Sequence, residues 1–127
     1  MRKIIAPENI PPPASHYHHG VLVSGEPHTL YLSGQLGERA DGTISASIED
    51  QAEQAWRNVK HLLAEAGMSV SDIAKVTSYI VGRENIDAYV ERHRIEVGEN
   101  KPPWTLLVVE GLGHPEYLVE IDVIASR

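Results

Sequence analysis

The chain has 127 residues, enough for one domain with a two-layer core. Its formal net charge of −7 argues against electrostatic binding of nucleic acid, and the absence of cysteine excludes disulfides, thiolate catalysis and thiolate metal sites. No apolar run is long enough for a signal-peptide core or a membrane span. The sequence therefore predicts one domain over residues 1–127, cytoplasmic and without a membrane partner.

The N-terminal third is predicted to be β-rich and interrupted by prolines. Arg2–Ala6 is a short apolar run that predicts an edge strand, and the proline-rich segment after it is expected to be extended because proline donates no backbone hydrogen bond. Val21–Ser24 and Thr29–Ser33 flank the turn sequence GEP, which predicts a β-hairpin. At Gly34-Gln35 the chain is expected to leave the sheet.

The middle of the chain has the clearest helical periodicity. Ser47 to Ala66 predicts a helix, with Ser47 and Asp50 as a capping pair and Gly67 as the stop. The apolar residues at helical spacing are Ile48, Ala52, Ala55, Val59, Leu62, Leu63 and Ala66.

A strand and a second helix are predicted next. Ile73 to Val81 alternates in the manner of a strand, with Val76, Ser78 and Ile80 on one face. The second helix is expected to begin at a cap on Asn85 and to end at Gly98. Its inward residues are expected to be Ile86, Tyr89, Val90, His93 and Val97.

Two apolar runs near the C-terminus, WTLLVVE and LVEIDVIASR, bracket the turn-rich sequence GLGHPEY, which predicts a strand pair. The last run alternates, so one face holds Val119, Ile121, Val123 and Ala125. The other face holds Leu118, Glu120, Asp122 and Ile124.

The element order β-β-β-α-β-α-β-β predicts an α+β domain: a single mixed sheet of five to six strands with two helices on one face. Two helices cannot cover both faces of such a sheet. The uncovered face is expected to carry Leu106, Val108, Leu118 and Ile124, and this apolar surface predicts association between subunits.

Glu120 and Asp122 are the first candidates for chemistry. A carboxylate on a covered sheet face needs a partner, a water molecule or a catalytic role, and its pKa can be shifted there. The structural alternative is an ion pair at a subunit boundary. Ser33-Gly34-Gln35 offers a hydroxyl, a permissive backbone and an amide, which suit a small-molecule subsite or an ordinary strand end.

The HYHH run is the most unusual local composition. His16, His18 and His19 lie within four residues, and His114 is a distant fourth imidazole. The spacing matches no zinc motif, so solvent-exposed loop histidines are the simpler interpretation and no metal or other cofactor is predicted. His93, on the inward face of the second helix, is expected to be a hydrogen-bonded core residue.

Four stretches together resemble the Rid/YjgF family of imine and enamine deaminases, also labelled L-PSP ribonucleases. They are PPPASHYHHGV, LYLSGQLG, SIEDQAEQAWRNVKHLLAEAGMSVSDIAKVTSYI and PPWTLLVVEGLGHPEYLVEIDVIA. The resemblance covers nearly the whole chain. It implies a chorismate-mutase-like α+β subunit that assembles as a homotrimer, with a small-molecule cleft at each subunit interface.

The resemblance also implies chemistry: hydrolysis of imine or enamine intermediates such as 2-aminoacrylate to a keto acid and ammonia. The cleft tyrosine of the family falls on Tyr17, its serine-glycine turn on Ser33 and Gly34, and its glutamate on Glu120. That glutamate would hold or activate the attacking water.

One position departs from the family pattern. Deaminating members carry an arginine where this chain has Trp104, and an indole cannot form the bidentate pair that an arginine makes with a substrate carboxylate. Trp104 is therefore expected either to wall the cleft for a neutral or aromatic ligand or to plug it. Three functions follow: a deaminase with a substrate class shifted away from 2-aminoacrylate, a non-catalytic metabolite-binding trimer, and, least supported by the acidic chain, a ribonuclease or translation inhibitor.

Overall fold

The computed structural model describes residues 1–127, and its centre is a five-stranded sheet covered by two helices. The strands are β1 (Arg2–Ile5), β2 (Gly20–Val23), β3 (Thr29–Tyr31), β4 (Gln35–Leu36), β5 (Ile73–Val81), β6 (Trp104–Val109) and β7 (Val119–Ser126). The helices are α1 (Ile48–Glu65) and α2 (Ile86–Val97), and three single-turn 3₁₀ helices span Val70–Asp72, Arg83–Asn85 and Gly98–Asn100. No helix combines the length and the apolar character needed to cross a bilayer.

The strand order of the main sheet is β3-β7-β5-β6, and β4 pairs with a further stretch of β7. Strands β5 and β6 are parallel because α2 forms the crossover between them, whereas the other pairs are antiparallel. The predicted mixed α+β sheet is thus confirmed. Strands β1 and β2 pair only with each other, so they form a ribbon beside the main sheet rather than part of one continuous sheet.

Three predictions about strand pairing are wrong. The segments predicted as an N-terminal hairpin do not pair: β2 pairs with β1, and β3 pairs with β7. The C-terminal runs β6 and β7 are separated by β5 rather than adjacent. The chain also rejoins the sheet at Gln35, where it was expected to leave it. Each error has one cause, because local turn signals indicate where strands end but carry no information on long-range partners.

Both helices pack on one face of the sheet, as predicted. The buried side chains of β5 and β7 alternate along each strand and meet the helices in a single core. That core consists of Ile48, Ala52, Ala55, Trp56, Val59, Leu63, Ile73, Val76, Ile80, Tyr89, Val97, Val119, Ile121, Val123 and Ala125. The opposite face of the sheet, called the open face below, has no covering element within the chain and carries Glu120, Asp122 and Ile124.

The expected composition of the open face needs correction in β6. Leu106 lies opposite Ser78, and Val108 lies opposite Ile80. Because Ser78 and Ile80 point into the core, Leu106 and Val108 lie on the core side of the sheet and not on the open face. Leu106 and Leu118 pack against the core, while the alternate residue Leu107 is 45% exposed. Since β6 is apolar on both faces, alternation along WTLLVV could not decide which face turns inward.

Helix α1 begins as predicted. Ser47 is the N-cap and its hydroxyl accepts from the Asp50 N–H at 3.2 Å. The reciprocal half of the capping box is indirect: the Asp50 carboxylate accepts from the Ser45 hydroxyl, which itself accepts from the Ser47 N–H. Leu62 is exposed although it was expected to be inward, and the buried face extends to Gln51 and Trp56 instead.

The caps of α2 differ in part from the prediction. The Asn85 side chain donates to the Val81 carbonyl at 2.8 Å instead of capping the helix. At the other end, Gly98 adopts a φ of 55°, which favours glycine and ends the helix as expected. The buried residues of α2 are Tyr89, His93 and Val97.

Gly37 lets β4 approach α1 closely, and its replacement by alanine is expected to destabilise the fold by about 1–3 kcal/mol. A methyl group there would lie 2.6 Å from both the Cα and the carbonyl oxygen of Gln51, and backbone atoms in a helix cannot easily move away. Urea unfolding measures the effect. Gly111→Ala is the control because its added methyl would meet no atom within 4 Å. Equal unfolding free energies for the two variants would contradict this account.

Candidate active site

Glu120 lies on the open face near the start of β7, paired with Leu36 of β4 and Tyr79 of β5. Its side chain is half-buried, and none of the ion pairs of the chain involves it. A partly desolvated carboxylate without a cationic partner is costly unless water, a substrate or another subunit contacts it. Glu120 therefore retains free acceptor capacity for a ligand or a water molecule.

Gly34 packs directly against this carboxylate. A Cβ atom at position 34 would overlap the Glu120 side chain, so any larger residue would displace the carboxylate from its present position. Ser33 precedes it with an exposed side chain, and its carbonyl accepts from the Gln35 side-chain amide at 3.0 Å. The structure thus brings together three of the predicted residues: Ser33, Gly34 and Glu120.

Gln51 is a positioning residue that the sequence analysis missed. Its buried amide nitrogen donates to the carbonyls of Ser45 at 2.7 Å and Glu116 at 2.9 Å, and its oxygen accepts from the Leu118 N–H at 2.9 Å. These bonds tie α1 to the segment that leads into β7. They therefore fix where β7 begins and, with it, the position of Glu120. A polar residue at an apolar helix position was the only signal in the sequence.

Trp104 lies on the other side of the sheet, toward the helices. Its indole stacks on His93 with ring centroids 3.7 Å apart, and its N–H donates to the Ser78 hydroxyl at 3.0 Å. Ser78 also shares a 2.5 Å hydrogen bond with the Tyr89 hydroxyl. Burial raises the pKa of Tyr89, so this phenol stays neutral. Trp104 is thus part of a packed aromatic cluster with α2.

Tyr17 lies in the loop before β2, beside the start of β6. Its hydroxyl accepts from the Ala14 N–H at 3.2 Å, and the loop is attached to the body by the His18 N–H, which donates to the Lys101 carbonyl at 2.7 Å. The neighbouring imidazoles point to different acceptors: His16 Nε2 lies 2.5 Å from the Gly98 oxygen.

The remaining imidazoles also have separate partners. His19 Nε2 lies 2.7 Å from the Pro11 oxygen, and His114 pairs with Glu116 at 3.0 Å. No group of three His, Asp or Glu side chains converges with the geometry of a metal site.

Within one chain the predicted residues form two separate groups. Trp104 lies opposite Val76, and Glu120 lies opposite Tyr79, so the two positions are offset by three residues along β5, which is about 10 Å. They also lie on opposite faces of the sheet. Gly34 and Glu120 lie together on the open face, whereas Trp104 lies with His93 and Ser78 on the helix side of the sheet.

Comparison with known proteins agrees with this architecture. The family model described as Endoribonuclease L-PSP matches residues 7–127. The RutC family protein YjgH of Escherichia coli is 34% identical over 114 residues, covering 88% of this chain and 84% of YjgH. A 2-iminobutanoate/2-iminopropanoate deaminase of Dermatophagoides farinae is 35% identical over 81 residues, covering 62% and 61% of the two chains.

A solved structure gives the same result for the fold. The Rid-family protein YyfB from Yersinia pestis superposes with a TM-score of 0.85 at 27% identity, covering 98% of this chain and 97% of that one. Both the family model and this structural match span nearly the whole chain. The chain therefore belongs to the Rid/YjgF family.

Proposed function

We propose that this chain is a hydrolytic deaminase that converts imine or enamine intermediates to carbonyl compounds and ammonia. The observation that carries the proposal is Glu120, a half-buried carboxylate without an ion-pair partner, packed against Gly34 on the open face. The relative from Dermatophagoides farinae is named as a deaminase of two imino acids, which supports the same reaction class here.

The reaction requires one water molecule and no cofactor. The water oxygen forms a bond to the imine carbon while the water proton passes to Glu120. Glu120 then returns that proton to nitrogen, which gives a carbinolamine. In the second step the carbinolamine hydroxyl loses its proton to Glu120 and Glu120 passes it to nitrogen, so that the C–N bond breaks, the carbonyl forms and ammonia leaves. An enamine substrate must first accept a proton at its terminal carbon to become the imine. General base catalysis by one positioned carboxylate contributes typically about 10²–10⁴ to the rate.

We further propose that the complete cleft forms between subunits of a homotrimer. Within one chain Tyr17 is hydrogen-bonded to Ala14 and packs against His19, with no hydrogen bond to Gly34 or Glu120. The open face also lacks a cover within the chain, although it carries Leu107 and Ile124 beside the acidic residues. In this arrangement Tyr17 of one subunit and Ser33-Gly34 of a neighbour would orient the substrate.

The substrate class is proposed to differ from 2-aminoacrylate because of Trp104. Its N–H is already donated to Ser78, and its ring is stacked on His93, so it has no group left to bind a carboxylate. Imines without an adjacent carboxylate are therefore the preferred class. Trp104 would contribute the apolar edge of its ring to the cleft rather than a charge.

A non-catalytic binding protein is the second candidate. Trp104 supports it directly, because an indole that is fixed in the aromatic cluster removes the ion pair on which binding of an imino acid would depend. In this case a metabolite would bind in the inter-subunit cleft and be released unchanged. A ribonuclease role has weaker support, since the net charge of −7 opposes contact with phosphates.

Ammonia release from freshly generated imines tests the proposal. Two substrate series are needed, one with a carboxylate next to the C=N bond and one without it. We expect saturable turnover of the uncharged series, with a kcat/KM at least about tenfold above that of the carboxylate series, since a carboxylate desolvated in the cleft without a partner costs about 1–3 kcal/mol or more. Absence of turnover in both series, by folded protein, would exclude the deaminase and favour the binding protein.

A further inference from the structure

The histidine run HYHH, residues 16–19, attaches the loop that carries Tyr17 to the body of the fold. Residues 6–19 contain four prolines and form no helix or strand. Only two hydrogen bonds connect this segment with the rest of the chain, and both come from the histidine run. The position of Tyr17 therefore depends on each of these two bonds.

The two bonds flank Tyr17 in sequence. His16 Nε2 donates to the Gly98 carbonyl at 2.5 Å, since a carbonyl oxygen can only accept. The His18 N–H donates to the Lys101 carbonyl at 2.7 Å. Tyr17 is thus held on one side by an imidazole and on the other side by a backbone amide.

Both acceptors belong to the connection between α2 and β6, which has a fixed conformation. Gly98–Asn100 is a 3₁₀ turn, and Lys101 then adopts a φ of 43°. A residue other than glycine keeps such a left-handed conformation only where its surroundings enforce it. Pro102 and Pro103 follow and are buried, and the Pro103 carbonyl accepts from the Val76 N–H at 2.9 Å. The loop is therefore attached to a part of the chain that cannot easily move.

The Tyr17 side chain has further support within the loop. Its hydroxyl oxygen accepts from the Ala14 N–H at 3.2 Å. Its ring packs against His19 with centroids 5.9 Å apart and planes at 75°, and His19 Nε2 donates to the Pro11 carbonyl at 2.7 Å. None of these contacts uses the proton of the Tyr17 hydroxyl, so the hydroxyl can still donate to a substrate.

We infer that His16 is a positioning residue for Tyr17, and that its bond to Gly98 keeps the tyrosine where it can donate to a substrate. The inference rests on the proposed function, in which Tyr17 orients the imine. His16 is the member of the run whose imidazole reaches outside the loop, because His19 bonds within it and His18 contributes its backbone. Its contribution can therefore be removed by substitution without altering the backbone.

Hydrogen exchange at the His18 amide tests the attachment without any substrate. His16→Asn places its amide nitrogen near the position of Nδ1, too far back to reach Gly98, whereas His16→Gln places it near the position of Nε2. We expect exchange about fivefold faster with His16→Asn, the usual net effect of one hydrogen bond, and within about twofold of wild type with His16→Gln. Equal exchange in wild type and His16→Asn would overturn the inference.

Steady-state kinetics with an accepted imine test the link to Tyr17. His16→Asn should raise KM about fivefold and leave kcat within about twofold, because Tyr17 would bind the substrate and the transition state alike. His16→Gln should restore the wild-type KM. In a Tyr17→Ala background His16→Asn should have no further effect, since a residue that acts through Tyr17 then has nothing left to position. Additive effects of the two substitutions would overturn the inference.

His114→Asn is the matched control. His114 is also a loop histidine with one side-chain partner, Glu116 at 3.0 Å, but it lies outside residues 6–19. Its replacement should leave the exchange at His18 and KM within about twofold of wild type, and changes as large as those of His16→Asn would contradict a specific role for His16. If wild type hydrolyses no imine while His16→Asn still accelerates exchange, the proposed function fails and the attachment of the loop by His16 stands.

Discussion

Glutamine in place of Glu120 is expected to lower ammonia release from an accepted imine by at least about 100-fold. Glutamine keeps the size of the side chain and its fit against Gly34, but it cannot take a proton from water at neutral pH. The variant breaks no ion pair within the chain, so folding should be unaffected. Steady-state rates measure the first effect, and size-exclusion chromatography with urea unfolding measures the second.

Asp122→Asn is the control for Glu120→Gln. Asp122 is two residues further along β7, faces the same side, is also half-buried and belongs to none of the ion pairs of the chain. Its replacement removes the same charge from the open face without removing the proposed base. We expect a rate within about threefold of wild type, as is usual for an electrostatic change without a direct role. Equal rates for wild type and Glu120→Gln would remove Glu120 from the mechanism.

The elements that the sequence predicted well are those with a single buried face. The cap at Ser47 and the alternation from Ile73 to Val81 were both correct, because local periodicity and capping carry that information. Glu120 was likewise placed on the open face, since β7 alternates strictly. The contact between Gly34 and Glu120 could not be read from local patterns, and the family resemblance assigned both residues to a cleft without predicting that they touch.

The predictions that were wrong concern which strands pair over long distances in sequence and which face of an apolar strand turns inward. Nothing in the turn between β6 and β7 indicates that β5 separates them, because the crossover through α2 determines that order. Trp104 illustrates the second problem. Both faces of β6 are apolar, so the choice between the open face and the core depended on His93 and Ser78 of other elements.

His93 was predicted to be buried and hydrogen-bonded, and only the first part is correct. It is fully buried, yet neither ring nitrogen has a hydrogen-bond partner. Its surroundings are the rings of Trp56, Tyr89 and Trp104. An imidazole without partners in an aromatic cluster costs free energy even when neutral and more when protonated.

This position makes the stability of the fold depend on pH. Burial, reinforced by the nearby charge of His16, lowers the pKa of His93 to about 3. In the unfolded chain a histidine has a pKa of about 6.5, so below that pH the unfolded state binds a proton that the folded state does not. Above about pH 6.5 His93 therefore does not change the free energy of unfolding. As the pH falls from about 6.5 toward 3, His93 lowers the free energy of unfolding progressively. Between pH 7.5 and pH 5.0 the loss from this one residue is about 2 kcal/mol.

His93→Phe is expected to remove that loss. Phenylalanine keeps an aromatic ring against Trp104 and has no nitrogen to leave unpaired, so the variant should be at least as stable as wild type at pH 7.5. At pH 5.0 its advantage should grow by about 2 kcal/mol. Urea unfolding at both pH values measures the change, and the other six histidines act as an internal control because both proteins contain them. Parallel stability profiles would show that His93 gains a proton in the folded state. In that case Trp104 must open from the cluster to admit water, and a mobile indole at the cleft edge would weaken the proposed preference for uncharged imines.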